Sequence, residues 1–287
     1  MIQMNKYEKL EKLHEETKNY IDNKEYENAL TCMEEIYEID PNDFENLENM
    51  VTINLIMDRN SKAIEMAERL PEDCWRRYLM FGYYYNMINQ TEDALKNYLK
   101  AHEMNPNHKS PLLGLAFLHK FEKEYEKAFE YTYKMLEIDP IDIEALALLI
   151  DLNLDTFQFE EVIKLSKKAL QISDKKDDVI YPALAYSYLM QGEAERGWNC
   201  LVKAISKHPD DMSYYATLQS YAFSTNDEKK ALDIFNVATI KNPTSPEPHL
   251  ALAMYYKTSG DMKKARKHYE KYVELEDKYL VMDFDEI

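Results

Sequence analysis

The sequence predicts an all-α protein built from repeated helical hairpins. Three observations carry this. A small residue recurs at a nearly constant interval, as Ala29, Ala63, Ala94, Ala128, Val162, Gly197, Ala231 and Ala265, with spacings of 34, 31, 34, 34, 35, 34 and 34. Apolar residues around it follow i, i+3, i+4, i+7, the spacing of one face of a helix. The 287 residues include 5 Gly, and the long Glu/Lys/Leu/Ala stretches favour helix over strand.

Each repeat is numbered so that the small residue is position 20. Positions 4, 7, 8 and 11 then mark the buried stripe of a first helix, and positions 20, 24 and 27 that of a second. The first repeat (10–43) has Ala29, followed twelve residues later by Pro41. The second (44–74) is three residues short and has Asn54 at position 11. The third (75–108) has Tyr78, Phe81, Gly82 and Tyr85, then Ala94, Tyr98 and Ala101, and closes on Pro106. The fourth (109–142) has Leu112, Leu115, Ala116 and His119, with Ser110-Pro111 expected as an N-cap and first helical residue. The fifth (143–177) has Val162 at the small position and one inserted residue. The sixth (178–211) has Tyr181, Leu184, Ala185 and Tyr188, with Pro182 in the first turn if Asp178 is the cap. The seventh (212–245) has Ala231, Phe235 and Ala238. The eighth (246–279) has His249, Leu252, Ala253 and Tyr256 after an expected Ser245-Pro246 cap, and its last helix is expected to run on through Val273, Leu275, Glu276 and Tyr279. Prolines at position 32 (Pro41, Pro106, Pro140, Pro209, Pro243) stop the second helices, because the residue before proline disfavours the helical region. Residues 280–287, LVMDFDEI, form an acidic-apolar tail expected to fray, with docking on the solenoid as a self-ligand or cap as the alternative.

This period, the small residue at position 20, the aromatics at 11 and 24 and the late proline resemble the tetratricopeptide repeat. The resemblance covers residues 10 to 279 and implies one right-handed α-solenoid over residues 1–279, stabilised between neighbouring repeats. It also implies where function sits: positions 2, 5, 9 and 12 of each first helix line a concave groove that binds peptides. In the third repeat these are Arg76, Leu79, Tyr83 and Asn86, and in the fourth Leu113, Phe117 and Lys120 follow Ser110. The fifth contributes Asp151 and Leu154, the sixth Tyr186 and Leu189, the seventh Ser220 and Phe223, and the eighth Met254. A solvated helix face does not carry so many Leu, Tyr, Phe and Met; contiguous exposed apolar surface marks an interaction site. Tight winding that buries them between first helices is the opposing reading. The clamp by which some members of the family hold a carboxylate terminus finds only Asn49 and Arg76 here.

Lys and Arg number 35 against 53 Asp and Glu, a net charge of −18, which argues against nucleic acid as partner. Residues 1–73 hold 19 acidic and 8 basic side chains, so the charge is concentrated in the first two repeats. That acidic end solubilises the chain or steers a basic partner. Five glycines do not build a phosphate cradle, and no HExxH motif or glycine-flanked nucleophile is present. Catalytic, metal and cofactor-binding residues are therefore expected to be absent. The N-terminus lacks a signal-like apolar core, and Cys32, Cys74 and Cys200 are far apart, which points to free thiols and a cytoplasmic location. The expected function is a non-catalytic scaffold or adaptor binding an apolar or amphipathic protein segment. A chaperone shielding a hydrophobic client and a regulatory subunit of an enzyme complex are the alternatives, and the end repeats offer faces for self-association.

Overall fold

A computed structural model describes residues 5–173, 176–276 and 284. The described residues form sixteen α-helices that pair as eight hairpins and fall into two compact units, residues 1–140 and 141–287. In the first unit the hairpins are α1 (Lys6–Asp22) with α2 (Tyr26–Ile39), α3 (Phe44–Ile56) with α4 (Asn60–Arg69), α5 (Trp75–Met87) with α6 (Thr91–Met104), and α7 (Lys109–Phe121) with α8 (Tyr125–Ile138). In the second they are α9 (Ile143–Asp155) with α10 (Phe159–Ile172), α11 (Asp177–Met190) with α12 (Ala194–Lys207), α13 (Met212–Thr225) with α14 (Glu228–Lys241), and α15 (Glu247–Thr258) with α16 (Met262–Leu275).

The repeat register is visible in the packing. All eight position-20 residues, from Ala29 to Ala265, are buried. A backbone with positive φ recurs five residues before each of them, at Lys24, Asp58, Asn89, Lys123, Phe157, Gly192, Asn226 and Gly260. These are the turns between paired helices. Six of the eight are not glycine, so most hairpins accept the left-handed penalty, and the low glycine content follows. The second helices end two residues before the position-32 prolines, α2 at Ile39 before Pro41 and α8 at Ile138 before Pro140. The deletion in the second repeat falls in α4, 10 residues long where the other second helices have 14.

Several expected boundaries differ. His108, not Ser110, caps α7: its imidazole accepts from the Ser110 N–H at 3.3 Å. Ser245 does not cap α15; Pro246 precedes its first residue, and the Ser245 hydroxyl donates to Asp210 instead. Helix α11 starts at Asp177, two residues earlier than an Asp178 cap allows, which leaves Pro182 inside the helix beyond its first turn. Asp142 is buried and caps α9 by accepting from Ala145 N–H at 2.8 Å, and Asp43 does the same for α3 through Asn46 N–H at 2.9 Å. Helix α16 ends at Leu275; Tyr279 and all of the tail but Phe284 lie outside the described residues.

Two aromatic inserts explain the glycines within helices. In the first unit Tyr98 on α6 lies across Gly82 on α5 and Gly114 on α7. A Cβ at either glycine would stand 2.4 or 2.7 Å from the Tyr98 ring. In the second unit Gly197 takes the small position because Tyr221 fills the space: a Cβ there would meet the Tyr221 hydroxyl oxygen at 1.9 Å. That hydroxyl donates to the Ala194 carbonyl at 2.9 Å, and the Tyr221 ring meets Trp198 edge-on at 5.2 Å.

Candidate functional site

From α3 onward, the first helices of successive hairpins touch within each unit. Helix α5 packs on α3 and on α7, and α11 packs on α9 and on α13, which in turn packs on α15. The first helices therefore form a continuous row along one face of each unit, and their outward positions form the candidate surface.

The predicted residues divide on that row. In the first unit Phe117 is 49 % exposed, Asn86 is exposed, and Leu113, Tyr83 and Lys120 are half-buried. Leu79 is 3 % exposed and belongs to the core, so it offers nothing to a ligand. Tyr83 leans edge-on against Tyr98 at 5.7 Å. Arg76 is engaged: its guanidinium pairs with Glu48 on α3 and lies 4.9 Å above the Trp75 ring. Burial pushes the Glu48 carboxyl above the usual carboxylate range and Arg76 opposes that shift. With Arg76 committed to Glu48, the two matches to a carboxylate clamp reduce to Asn49.

In the second unit Tyr186 is 45 % and Phe223 80 % exposed. Ser220 is also exposed, whereas Asp151, Leu154, Leu189 and Met254 are half-buried. Phe223 borders a recess of about 250 Å³ that is also lined by Gln219, Ala222, Tyr255 and Thr258. Tyr186 meets Phe159 edge-on at 5.9 Å, and Phe159 meets Phe157 at 6.2 Å. Phe157 is an exposed aromatic at the positive-φ turn position of its hairpin, φ 59°, a conformation that bulky residues rarely adopt. A second recess, about 540 Å³, lies over α6 between Tyr78, Leu95 and Leu99 and contains none of the predicted residues.

Position 13 was missed from sequence. Ile56 on α3, Met87 on α5 and Phe121 on α7 occupy it in three successive hairpins of the first unit, and Met190 occupies it on α11. All four are exposed, Phe121 at 76 %. Position 13 lies one turn beyond position 9, so Phe117 and Phe121 share a face of α7. The signal was available in the repeat alignment, as four large apolar residues at one register position.

Three of the histidines are held in side-chain contacts. His119 is buried, 2.7 Å from Glu124 through Nδ1 and stacked on Tyr131. His249 on α15 and His268 on α16 approach through their Nδ1 atoms at 3.2 Å, with Tyr256 stacked on His268. Burial holds both below the ordinary imidazole value; Lys271 depresses His249 further while Glu274 opposes it, and His249 and Lys267 depress His268. A depressed imidazole favours the fold in its neutral form. This stability is present above the unfolded value near pH 6.5 and lost as pH falls below it. The melting temperature is accordingly expected to fall between pH 7 and pH 5, and to fall less in a His268→Gln variant, as measured by circular dichroism. Among the described residues, no group of three or more His, Cys, Asp or Glu is placed to hold a metal ion, and no helix is long and apolar enough to cross a membrane.

Comparison with known proteins agrees with the repeat register. The family model described as tetratricopeptide repeat matches residues 18–43 and 246–279. The second match has the bounds of the eighth repeat read from spacing. A TPR repeat-containing protein of Methanocaldococcus jannaschii is 23% identical over 201 residues, which is 64% of this chain and 35% of the relative. The chain thus spans about a third of that relative's length. The crystal structure of a tetratricopeptide repeat protein from Parabacteroides merdae superposes with a TM-score of 0.55 at 18% identity, over 80% of this chain and 92% of that one. A chain of the APC/C hetero-tetramer Cut9-Hcn1 gives 0.58 at 14% identity, over 90% of this chain and 52% of its own length.

Proposed function

We propose that this chain, a tetratricopeptide-repeat protein, is a non-catalytic interaction scaffold that binds an apolar or amphipathic protein segment along its row of first helices. Mediating protein–protein contacts is the general role of such repeats. The observation that supports the finer reading is the recurrence of exposed large apolar side chains at positions 9, 12 and 13: Phe117 and Phe121 with Met87 in the first unit, Tyr186, Met190 and Phe223 in the second. Water-facing helix positions ordinarily carry charge, and apolar surface repeated on adjacent helices is costly unless a partner covers it.

A segment with apolar residues at i, i+3, i+4 and i+7 fits such a row, as an amphipathic helix fits a hydrophobic groove. The acidic first two repeats favour basic residues at that segment's end. The cytoplasm, where thiols stay reduced, suits three cysteines that form no disulfide. Capture of partners from the source cell by the wild type and by a Phe117→Asp/Phe121→Asp variant tests the reading. Partners held through the row are lost from the variant while its helical content is unchanged. Equal capture by both contradicts it.

A further inference from the structure

Phe284 is separated from α16 by residues outside the described set, yet it is only 7 % exposed. It is seated on the last hairpin. The Arg266 guanidinium lies 4.5 Å and the Lys257 ammonium 5.3 Å from its ring centroid, and Tyr269 meets the ring edge-on at 5.3 Å. Lys257 Nζ also donates to the Phe284 carbonyl at 2.8 Å. Two cations and an aromatic edge around one phenyl ring make a cation–π cradle, each such contact strengthened where the ring is desolvated.

Charge supplies a second, independent argument. The chain is strongly acidic, but α16 carries Lys263, Lys264, Arg266, Lys267 and Lys271 against only Glu270 and Glu274. This local basic surface surrounds Phe284, which stands in the sequence between Asp283 and Asp285. Lys257 sits at position 12 of the last first helix, so the cradle lies on the same row as the apolar surface of the second unit.

We propose that Lys257, Arg266 and Tyr269 form a recognition site for an aromatic residue flanked by carboxylates, occupied in this chain by its own Phe284. A protein segment of the same chemistry then binds only by displacing it. The site is separate from the apolar surface proposed above and stands or falls without it. An intramolecular occupant competes at an effective concentration on the order of millimolar, which masks the site from weak ligands.

The test uses the full chain and a fluorescently labelled, amidated peptide of sequence VMDFDEI, with binding read by anisotropy. A Phe284→Ala variant vacates the cradle and is expected to bind the peptide at least tenfold more tightly than the wild type. Adding Lys257→Glu and Arg266→Glu should abolish that binding, as should replacing the peptide by VMNFNQI in 0.5 M salt. If Phe284→Ala proves unfolded by circular dichroism, an Asp283→Lys/Asp285→Lys variant, which retains the phenylalanine, serves instead and should show the same tenfold gain. Equal binding to wild type and vacated chain, or no binding to either variant, overturns the proposal.

Discussion

Replacing Tyr98 with alanine is expected to cost about 3–5 kcal/mol of stability, the range for deleting a large buried aromatic whose surroundings do not collapse. The ring is 1 % exposed and fills the space between α5, α6 and α7, where two glycines leave room for it. Its loss opens both the contact within the third hairpin and the contact to the fourth. In a repeat fold these nearest-neighbour interfaces are the main source of stability, so neither loss is made up elsewhere. Urea denaturation followed by circular dichroism measures the effect. The glycines give the prediction a sign test. Gly82→Ala alone should destabilise, because its new methyl meets the Tyr98 ring. In the Tyr98→Ala background the same change should stabilise, because the methyl enters a cavity and alanine favours helix over glycine by about 1 kcal/mol. A loss below 1 kcal/mol for Tyr98→Ala, or additive effects of the two changes, would show that the ring does not set this spacing.

The second large effect is on binding. Phe117→Asp/Phe121→Asp places two carboxylates on a face of α7 where the wild type presents two phenyl rings. Phe121 is largely in water and Phe117 about half, so the fold loses little, and the melting temperature should move by no more than a few degrees. A partner segment that buries both rings loses about 1.5–3 kcal/mol for each and must also desolvate the new charges. The expected weakening is therefore at least a thousandfold, measured by titration calorimetry with a captured partner. The contrast with Tyr83→Asp is informative. Tyr83 rests on Tyr98, so that change should lower stability as well as binding and cannot separate the two.

The hairpins were legible in the sequence because each must bury one small residue where two helices cross, and that requirement repeats every 34 residues. Phe117, Tyr186 and Phe223 were legible as surface residues because the stripe beside the core stripe is set by helix geometry alone. Leu79 was not, because whether a flanking position is covered depends on how closely the next first helix approaches. Arg76 was misread for a related reason: its partner Glu48 is 28 residues away on another helix, and periodicity within one repeat carries no information about that pair. The width of the exposed face was underestimated by one turn, which left out Ile56, Met87, Phe121 and Met190. Helix caps were the least legible, since His108 and Pro246 stand where serine was the better intrinsic choice.

The central claim is that ligands lie on the row of first helices, and site-specific photocrosslinking tests it most directly. A photoreactive phenylalanine analogue is placed in turn at Met87, Phe121, Tyr186 and Phe223, and at Lys96 and Lys229 on second helices, in the presence of a captured partner. The account predicts crosslinks from at least one of the four first-helix positions and none from the second-helix positions. Crosslinks confined to Lys96 or Lys229 would contradict it.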